Sequence, residues 1–410
     1  MEHLTKINVF IQFNNSEQLV GQMILDEKDV LFKYSDLYLE NGYNISPSKL
    51  KFDSTVQLAP VKPFGGLFGV FSDSLPDAWG YLLMKKQLSK EGVILANLNS
   101  LDHLTYVGSN ALGALSYQPC FDDGDQENSA IDLDVTNSNV KELLQGESNA
   151  VIDDIFKLGG SPGGARPKIY AHYNKSNDTL MSGSDNLQDG YEHWIIKFAA
   201  TVDSNDIANV EMAYYYMALE AGITMNECKL FSGESGKKYF GTKRFDRIGS
   251  QKLHMISAAG LLHDDYERSQ MDYGILMHEG KELVGSTVVH EQILRLTAFN
   301  VFAHNRDDHS KNFAFLMDKN GGWSFAPAYD LTFSSSSQGH HSTFVSGNSL
   351  NPGTKELMEL VDHFSISKGK EIIDQVKMAV SKWTDFAEKA QVTIDSTTSI
   401  HKALNIQLNN

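Results

Sequence analysis

Phe302-Ala303-His304-Asn305-Arg306-Asp307-Asp308-His309-Ser310-Lys311-Asn312-Phe313 is a run of polar side chains closed at both ends by phenylalanine. Its surroundings decide the fold. Residues 291–303 carry the apolar spacing of an amphipathic helix. Behind the run, Phe313–Met317 and Trp323–Pro327 flank the turn Asp318-Lys319-Asn320-Gly321-Gly322 and read as paired strands, with Ala328-Tyr329-Asp330 directly after them. The order is helix, polar loop, hairpin, aspartate.

Toward the N-terminus, Gly159-Gly160-Ser161-Pro162-Gly163-Gly164-Ala165-Arg166-Pro167-Lys168 places four glycines in a decapeptide before the strand-like Ile169-Tyr170-Ala171. His193-Trp194-Ile195-Ile196-Lys197-Phe198 reads as the next strand. A helix follows, with Asp203 or Ser204 as cap, Glu211 in its early turns and Gly222 as its stop. Tyr239–Asp246 is a further strand, and 355–389 are helical. Nearer the start, Ile7, Val9, Ile11 and Phe13 alternate with polar residues before Asn14-Asn15-Ser16-Glu17, the pattern of a hairpin, and Ala78–Leu88 has helical spacing. Strands first and helices later predict an α+β chain. The expected units are an N-terminal module at 1–121, an exposed acidic connection at 122–149, a strand-rich lobe with the glycine loop at 150–250 and a mostly helical lobe at 251–410.

Composition excludes several classes. With 410 residues, 41% of them hydrophobic, the chain can bury a large core. A net charge of −17 repels a polyanion, so binding to DNA is expected only indirectly, through a basic partner. Cys120 and Cys228 are too few for a disulfide framework and read as reduced thiols of a cytoplasmic protein; no stretch is long and apolar enough for a membrane span. His340-His341 lies in the Ser- and Gly-rich stretch 333–349 and reads as part of a mobile loop, because adjacent histidines do not converge on one ion.

Protein kinases use the loop, hairpin, aspartate order for phosphoryl transfer. A loop aspartate takes the acceptor hydroxyl's proton, an asparagine five residues on holds magnesium, and an aspartate beyond the hairpin holds the bridging magnesium. Asp307, Asn312 and Asp330 stand at those places. Oxygen ligands of this kind leave magnesium free to keep waters and nucleotide phosphates. Lys197, on an apolar strand upstream of the helix bearing Glu211, suits the lysine that holds the α- and β-phosphates; Glu211 either steadies it or only favours the helix dipole. The glycine loop offers backbone N–H groups to phosphates but lacks the Gly-x-x-x-x-Gly-Lys-Ser/Thr pattern, which excludes a Walker-type ATPase.

Together these motifs resemble the HipA family, serine/threonine-protein kinase toxins of type II toxin–antitoxin systems. The N-terminal part of the resemblance lies in Ile45-Ser46-Pro47, Phe71-Ser72-Asp73-Ser74-Leu75-Pro76-Asp77-Ala78-Trp79-Gly80, Tyr106-Val107-Gly108 and Gly113–Tyr117. The kinase part lies in Ser161–Lys168, Ile195–Phe198, Arg244-Phe245-Asp246-Arg247, Asp307–Phe313 and Tyr329-Asp330. The resemblance implies a two-lobed protein-kinase-like fold with an additional mixed N-terminal module and a helical C-terminal lobe. It gives Asp307 and His309 catalytic roles, Asn312 and Asp330 the Mg2+, and Ser161 the role of autophosphorylated serine. ATP is expected to meet Lys197, Ser161, Gly163, Gly164, Ala165, Lys168 and Lys311, with adenine along Lys243, Phe245 and Asp246. Lys243 stands where an acidic residue is expected. The implied partners are a HipB-like helix-turn-helix antitoxin and a protein substrate, a translation-related one such as an aminoacyl-tRNA synthetase. Two other readings share the loop: a small-molecule kinase of the aminoglycoside phosphotransferase type, and a catalytically silent partner-binding module.

Overall fold

The computed structural model describes residues 3–14, 16–120, 128–146, 152, 155, 163–183, 187–335 and 339–410. The expected N-terminal hairpin is β1 (Lys6–Gln12) against β2 (Glu17–Asp26), in the register Lys6↔Ile24 with a bulge at Val9/Phe10. With β3 (Asp29–Tyr34), β4 (Gln57–Leu58) and β5 (Leu115–Gln118) it forms an antiparallel sheet ordered β4-β3-β2-β1-β5. Period-two burial holds: Ile7, Val9 and Ile11 face a core that also contains Phe32 and Phe71.

A second sheet, ordered β7-β6-β8-β10-β9, consists of β6 (Lys168–Asn174), β7 (Thr179–Ser182), β8 (Glu192–Lys197), β9 (Cys228–Ser232) and β10 (Lys238–Lys243). Register sets Lys168 and Phe240 on either side of Lys197. The strand expected to reach Asp246 stops at Lys243, and Arg244-Phe245-Asp246 runs on toward the second lobe. The helix after β8 is Ile207–Glu220, with Asp206 rather than Asp203 or Ser204 at its N-cap. Tertiary partners explain the shift: the Asp203 carboxylate is taken by both Nε and Nη2 of Arg166, and Asp206 accepts from Thr393 and Ser396 instead of capping.

Residues 122–149, read as an exposed connection, contain the helix Leu133–Gln145, capped by Asp132 and ended at the left-handed Gly146. Leu133, Val140 and Leu143 enter one apolar cluster with Trp79, Trp194 and Phe231, so this part of the connection is a buried element of the strand-rich lobe.

The small pair β11 (Arg247–Ile248) and β12 (Gln251–Lys252) leads to β13 (His254–Ser257). β13 pairs with β14 (Ala314–Met317), and β14 with β15 (Trp323–Phe325), the hairpin expected behind the polar loop. Around it stand the helices Tyr273–Val284, Val288–Phe302, Thr354–His363, Gly369–Ser381, Trp383–Lys389 and Ile394–Leu408. The architecture is α+β: a two-lobed protein-kinase-like fold with a mixed N-terminal module and a helical C-terminal lobe. Among the described residues no helix is long and apolar enough to cross a membrane. Neither cysteine forms a disulfide among the described residues, and burial pushes the Cys228 thiol up to about 12.

The His340-His341 stretch departs from the mobile loop expected there. His341 is buried and its Nδ1 lies 3.0 Å from Asp308 Oδ2, while Phe344 and Val345 make bridges to Asp272 and Asn348. A carboxylate buried beneath the polar loop needs donors, and this segment supplies them.

Candidate functional site

A cavity of about 540 Å³ opens where the second sheet, the polar loop and the Asp73–Asp77 turn meet. Every described residue that the sequence reading assigned to nucleotide, metal or catalysis lines it. Ser161 lies outside the described residues.

Lys197, at the end of β8, reaches into the cavity between two carboxylates. Its Nζ donates to Glu211 Oε1 at 2.8 Å and pairs with Asp330 Oδ1. The Glu211 partnership, left open by sequence, is therefore present. Burial would lower the Lys197 amine, but the Asp330 and Glu211 charges outweigh it and hold the amine above its usual range. The converse holds for Asp330, where Lys197 and Lys168 override burial and keep the carboxyl well below the usual range. Asp330 adopts φ +55°, a left-handed backbone conformation that non-glycine residues rarely take and that turns its carboxylate toward the lysine. Lys168, first residue of β6, donates to Gly163 O at 2.6 Å, and burial lowers its amine. Gly164 adopts φ +100°, a conformation that favours glycine, and lies directly against the Lys168 ammonium.

Asp307 projects from the polar loop with 61% of its side chain exposed, which leaves it accessible to a substrate. Asn312 Nδ2 donates to the Asp307 carbonyl at 2.7 Å, closing the five-residue step, and Tyr329 Oη donates to Lys311 O at 2.6 Å. His309 Nε2 stands 3.9 Å from Asp307 Oδ1. Beneath them Asp308 is fully buried and accepts from Tyr273 Oη at 2.7 Å, from the Ser342 N–H at 2.8 Å and from His341. Asn300 extends this network by donating to Tyr273 Oη. The exposed aspartate thus sits on a buried, hydrogen-bonded polar foundation, the arrangement that fixes a loop geometrically.

At the rim, Lys243 pairs with Glu192, and the Phe245 ring lies 5.2 Å from that of Tyr329. The Asp246 carboxylate is tied to Arg244 and Arg247 and accepts the Gly113 N–H at 2.8 Å. Burial would raise it, but the two guanidiniums hold it well below the usual range. In this geometry Asp246 joins the N-terminal module to the strand-rich lobe.

The donor set fits magnesium. Among the described residues no group of three or more His, Cys, Asp or Glu could hold an ion, so no all-protein cage exists. Asn312 and Asp330 offer a few hard oxygens beside a cavity, which suits an ion that keeps waters and phosphates.

Sequence reasoning missed Arg166 with Asp203, and it missed Asp73 and Asp77 as parts of the site wall. The dense Asp73-Ser74-Leu75-Pro76-Asp77 turn was visible, but its contacts lie across the chain. Asp73 accepts from the Ser257 N–H and Oγ, and burial raises its carboxyl to about 6.

A family profile described as HipA-like C-terminal domain matches residues 160–383, and one described as HipA N-terminal domain matches residues 12–118. No curated protein matches the chain. Among solved structures, it aligns with a chain of the Shewanella oneidensis MR-1 toxin–antitoxin complex of HipA, HipB and operator DNA. The TM-score is 0.70 at 16% identity, over 97% of this chain and 95% of that one. The Helicobacter pylori proinflammatory kinase CtkA aligns with a TM-score of 0.34 at 13% identity, over 53% of this chain and 92% of that one.

Proposed function

The chain belongs to the HipA family, and from that premise we propose that it is an ATP- and magnesium-dependent serine/threonine protein kinase, the toxin of a toxin–antitoxin pair. The observation that carries the reading is Lys197 held between Glu211 and Asp330 at a cavity that also receives Asp307 and Asn312. A lysine, a helix glutamate, a loop aspartate with its asparagine and a post-hairpin aspartate are the parts that phosphoryl transfer requires.

In this mechanism Lys197 holds the α- and β-phosphates, and the described glycines of the loop, Gly163 and Gly164, approach the phosphates closely. Asn312 and Asp330 would hold magnesium, which when bound would neutralise phosphate charge. Asp307 accepts the proton of the acceptor hydroxyl as its oxygen bonds to the γ-phosphorus and the bond to ADP breaks. The exposed Asp307, fixed by the Asp308 network, leaves room for a protein side chain. We assign Ser161 as the site of self-phosphorylation and a translation-related protein, such as an aminoacyl-tRNA synthetase, as the target. A HipB-like helix-turn-helix antitoxin is the proposed partner, consistent with the company HipA keeps in the Shewanella complex. It would bring this acidic chain to DNA in the cytoplasm.

Incubation with γ-labelled ATP and magnesium, alone and with cell lysate, tests the proposal. Label on a lysate protein supports it. Label on a small molecule alone would favour the aminoglycoside phosphotransferase type of activity, and label nowhere a silent binding module.

A further inference from the structure

Asp77 occupies the N-cap of the helix Ala78–Lys90, where an aspartate ordinarily accepts N–H groups of its own first turn. Its side chain makes no such bond. Oδ2 instead accepts the Gly164 N–H at 2.6 Å, and Oδ1 pairs with the Lys311 ammonium of the polar loop. A Cβ on Gly163 would lie 3.0 Å from Oδ2, so the loop backbone packs tightly against this carboxylate. Burial opposes charge on Lys311, yet Asp77 and Asp73 hold its amine above the usual range. Residues on either side fix the turn: Asp73 binds Ser257, and Trp79 Nε1 donates to Lys168 O at 2.9 Å. One carboxylate of the N-terminal module therefore spans the cleft, with the glycine loop on one oxygen and the catalytic loop on the other.

We propose that Asp77 is a positioning residue for phosphoryl transfer, by which the N-terminal module holds the glycine loop and Lys311 in register. The inference rests on the kinase reading above. Asp77 acts through Gly164 and Lys311 rather than on substrate. Without it the ammonium is free to swing and the loop amide loses its acceptor, in a site where a displacement of about 1 Å can cost on the order of 100-fold in rate.

The test uses the full chain and the transfer of label from γ-labelled Mg·ATP to lysate proteins, comparing wild type with Asp77→Ala, Asp77→Asn, Lys311→Ala and the Asp77→Ala/Lys311→Ala double variant. Thermal unfolding of each is recorded alongside. Asp77→Ala is expected to lower the maximal rate at least ~10-fold while the half-saturating ATP concentration moves less than ~3-fold. Asp77→Asn, which keeps an acceptor for Gly164 but loses the charge facing Lys311, should fall between wild type and Asp77→Ala in rate. The double variant should be slower than Lys311→Ala only by the share that Asp77 exerts through Gly164, and so lose clearly less than the product of the two single losses. Multiplying losses in the double variant, a loss confined to ATP affinity, or an undiminished rate in Asp77→Ala would each overturn the proposal. Absence of transfer by wild type would instead overturn the kinase reading, and this inference with it.

Discussion

Asp307 is mostly exposed on a loop whose next residue is wholly buried, and the contrast assigns different work to two adjacent aspartates. Asp307→Ala should slow phosphoryl transfer at least ~100-fold while leaving ATP affinity within a few-fold of wild type, as expected for the loss of a proton acceptor. Mass spectrometry of protein made in cells gives an independent readout: phosphate on Ser161 in wild type and none in the variant. Phosphate on Ser161 in both would remove Asp307 from the reaction. Asp330→Ala should weaken Mg·ATP binding by at least ~10-fold in calorimetry, because it removes a hard-oxygen ligand. An unchanged affinity would take the metal role from Asp330. Residues such as these were legible because their spacing is local: a five-residue step and an aspartate behind a hairpin survive in the bare string. Glu211 was ambiguous because a glutamate early in a helix also favours the helix dipole. Asp77 was hidden because an aspartate before a helix reads as a cap, and only the fold shows that its carboxylate turns elsewhere.

Elements join the modules by close backbone approach. Gly69, opening the short helix Gly69–Ser72, would place a Cβ 2.1 Å from the Gly260 carbonyl, and its N–H donates to His263 Nε2 at 2.9 Å. Gly69→Ala must push the module off the helical lobe and should destabilise the chain by about 2 kcal/mol or more, the range of overpacked cores. Denaturant unfolding checks this, and a variant as stable as wild type would show that the contact yields freely. The Asp246 strut predicts a pH dependence. Its folded pKa is depressed, so its stabilisation is present above the unfolded carboxylate value of about 4 and is lost as pH falls below it. Asp246→Asn should cost about 3 kcal/mol at neutral pH and flatten the decline in unfolding free energy below pH ~4. A variant whose acid decline parallels wild type would contradict the assignment. The elements most readable in advance were those with strict periodicity, such as β1, β2 and the helix before the polar loop. Leu133–Gln145 was obscured by its polar composition, since few buried side chains anchor it, and the segment around His341 by its serines and glycines, whose order comes from Asp308 on a distant stretch.

For the molecule as a whole, the net charge of −17 sets the terms of any contact with nucleic acid. The isolated chain should give no gel shift with DNA at about 150 mM salt, where charges further apart than about 8 Å are screened, and should shift DNA only together with a basic helix-turn-helix partner. A shift by the chain alone would contradict the indirect route. The largest apolar cluster also bears on how the protein comes into being. Ile7 and Phe71 share it with Ile400 and Leu404, which lie on the helix Ile394–Leu408. On the ribosome, Asp330, the final residue of the proposed site, is added long before that helix exists. The residues of the proposed site can all leave the exit tunnel while the apolar cluster still lacks the side chains of that helix. Only when the Ile394–Leu408 helix docks does this core close, so its completion must follow the synthesis of every residue of the proposed site.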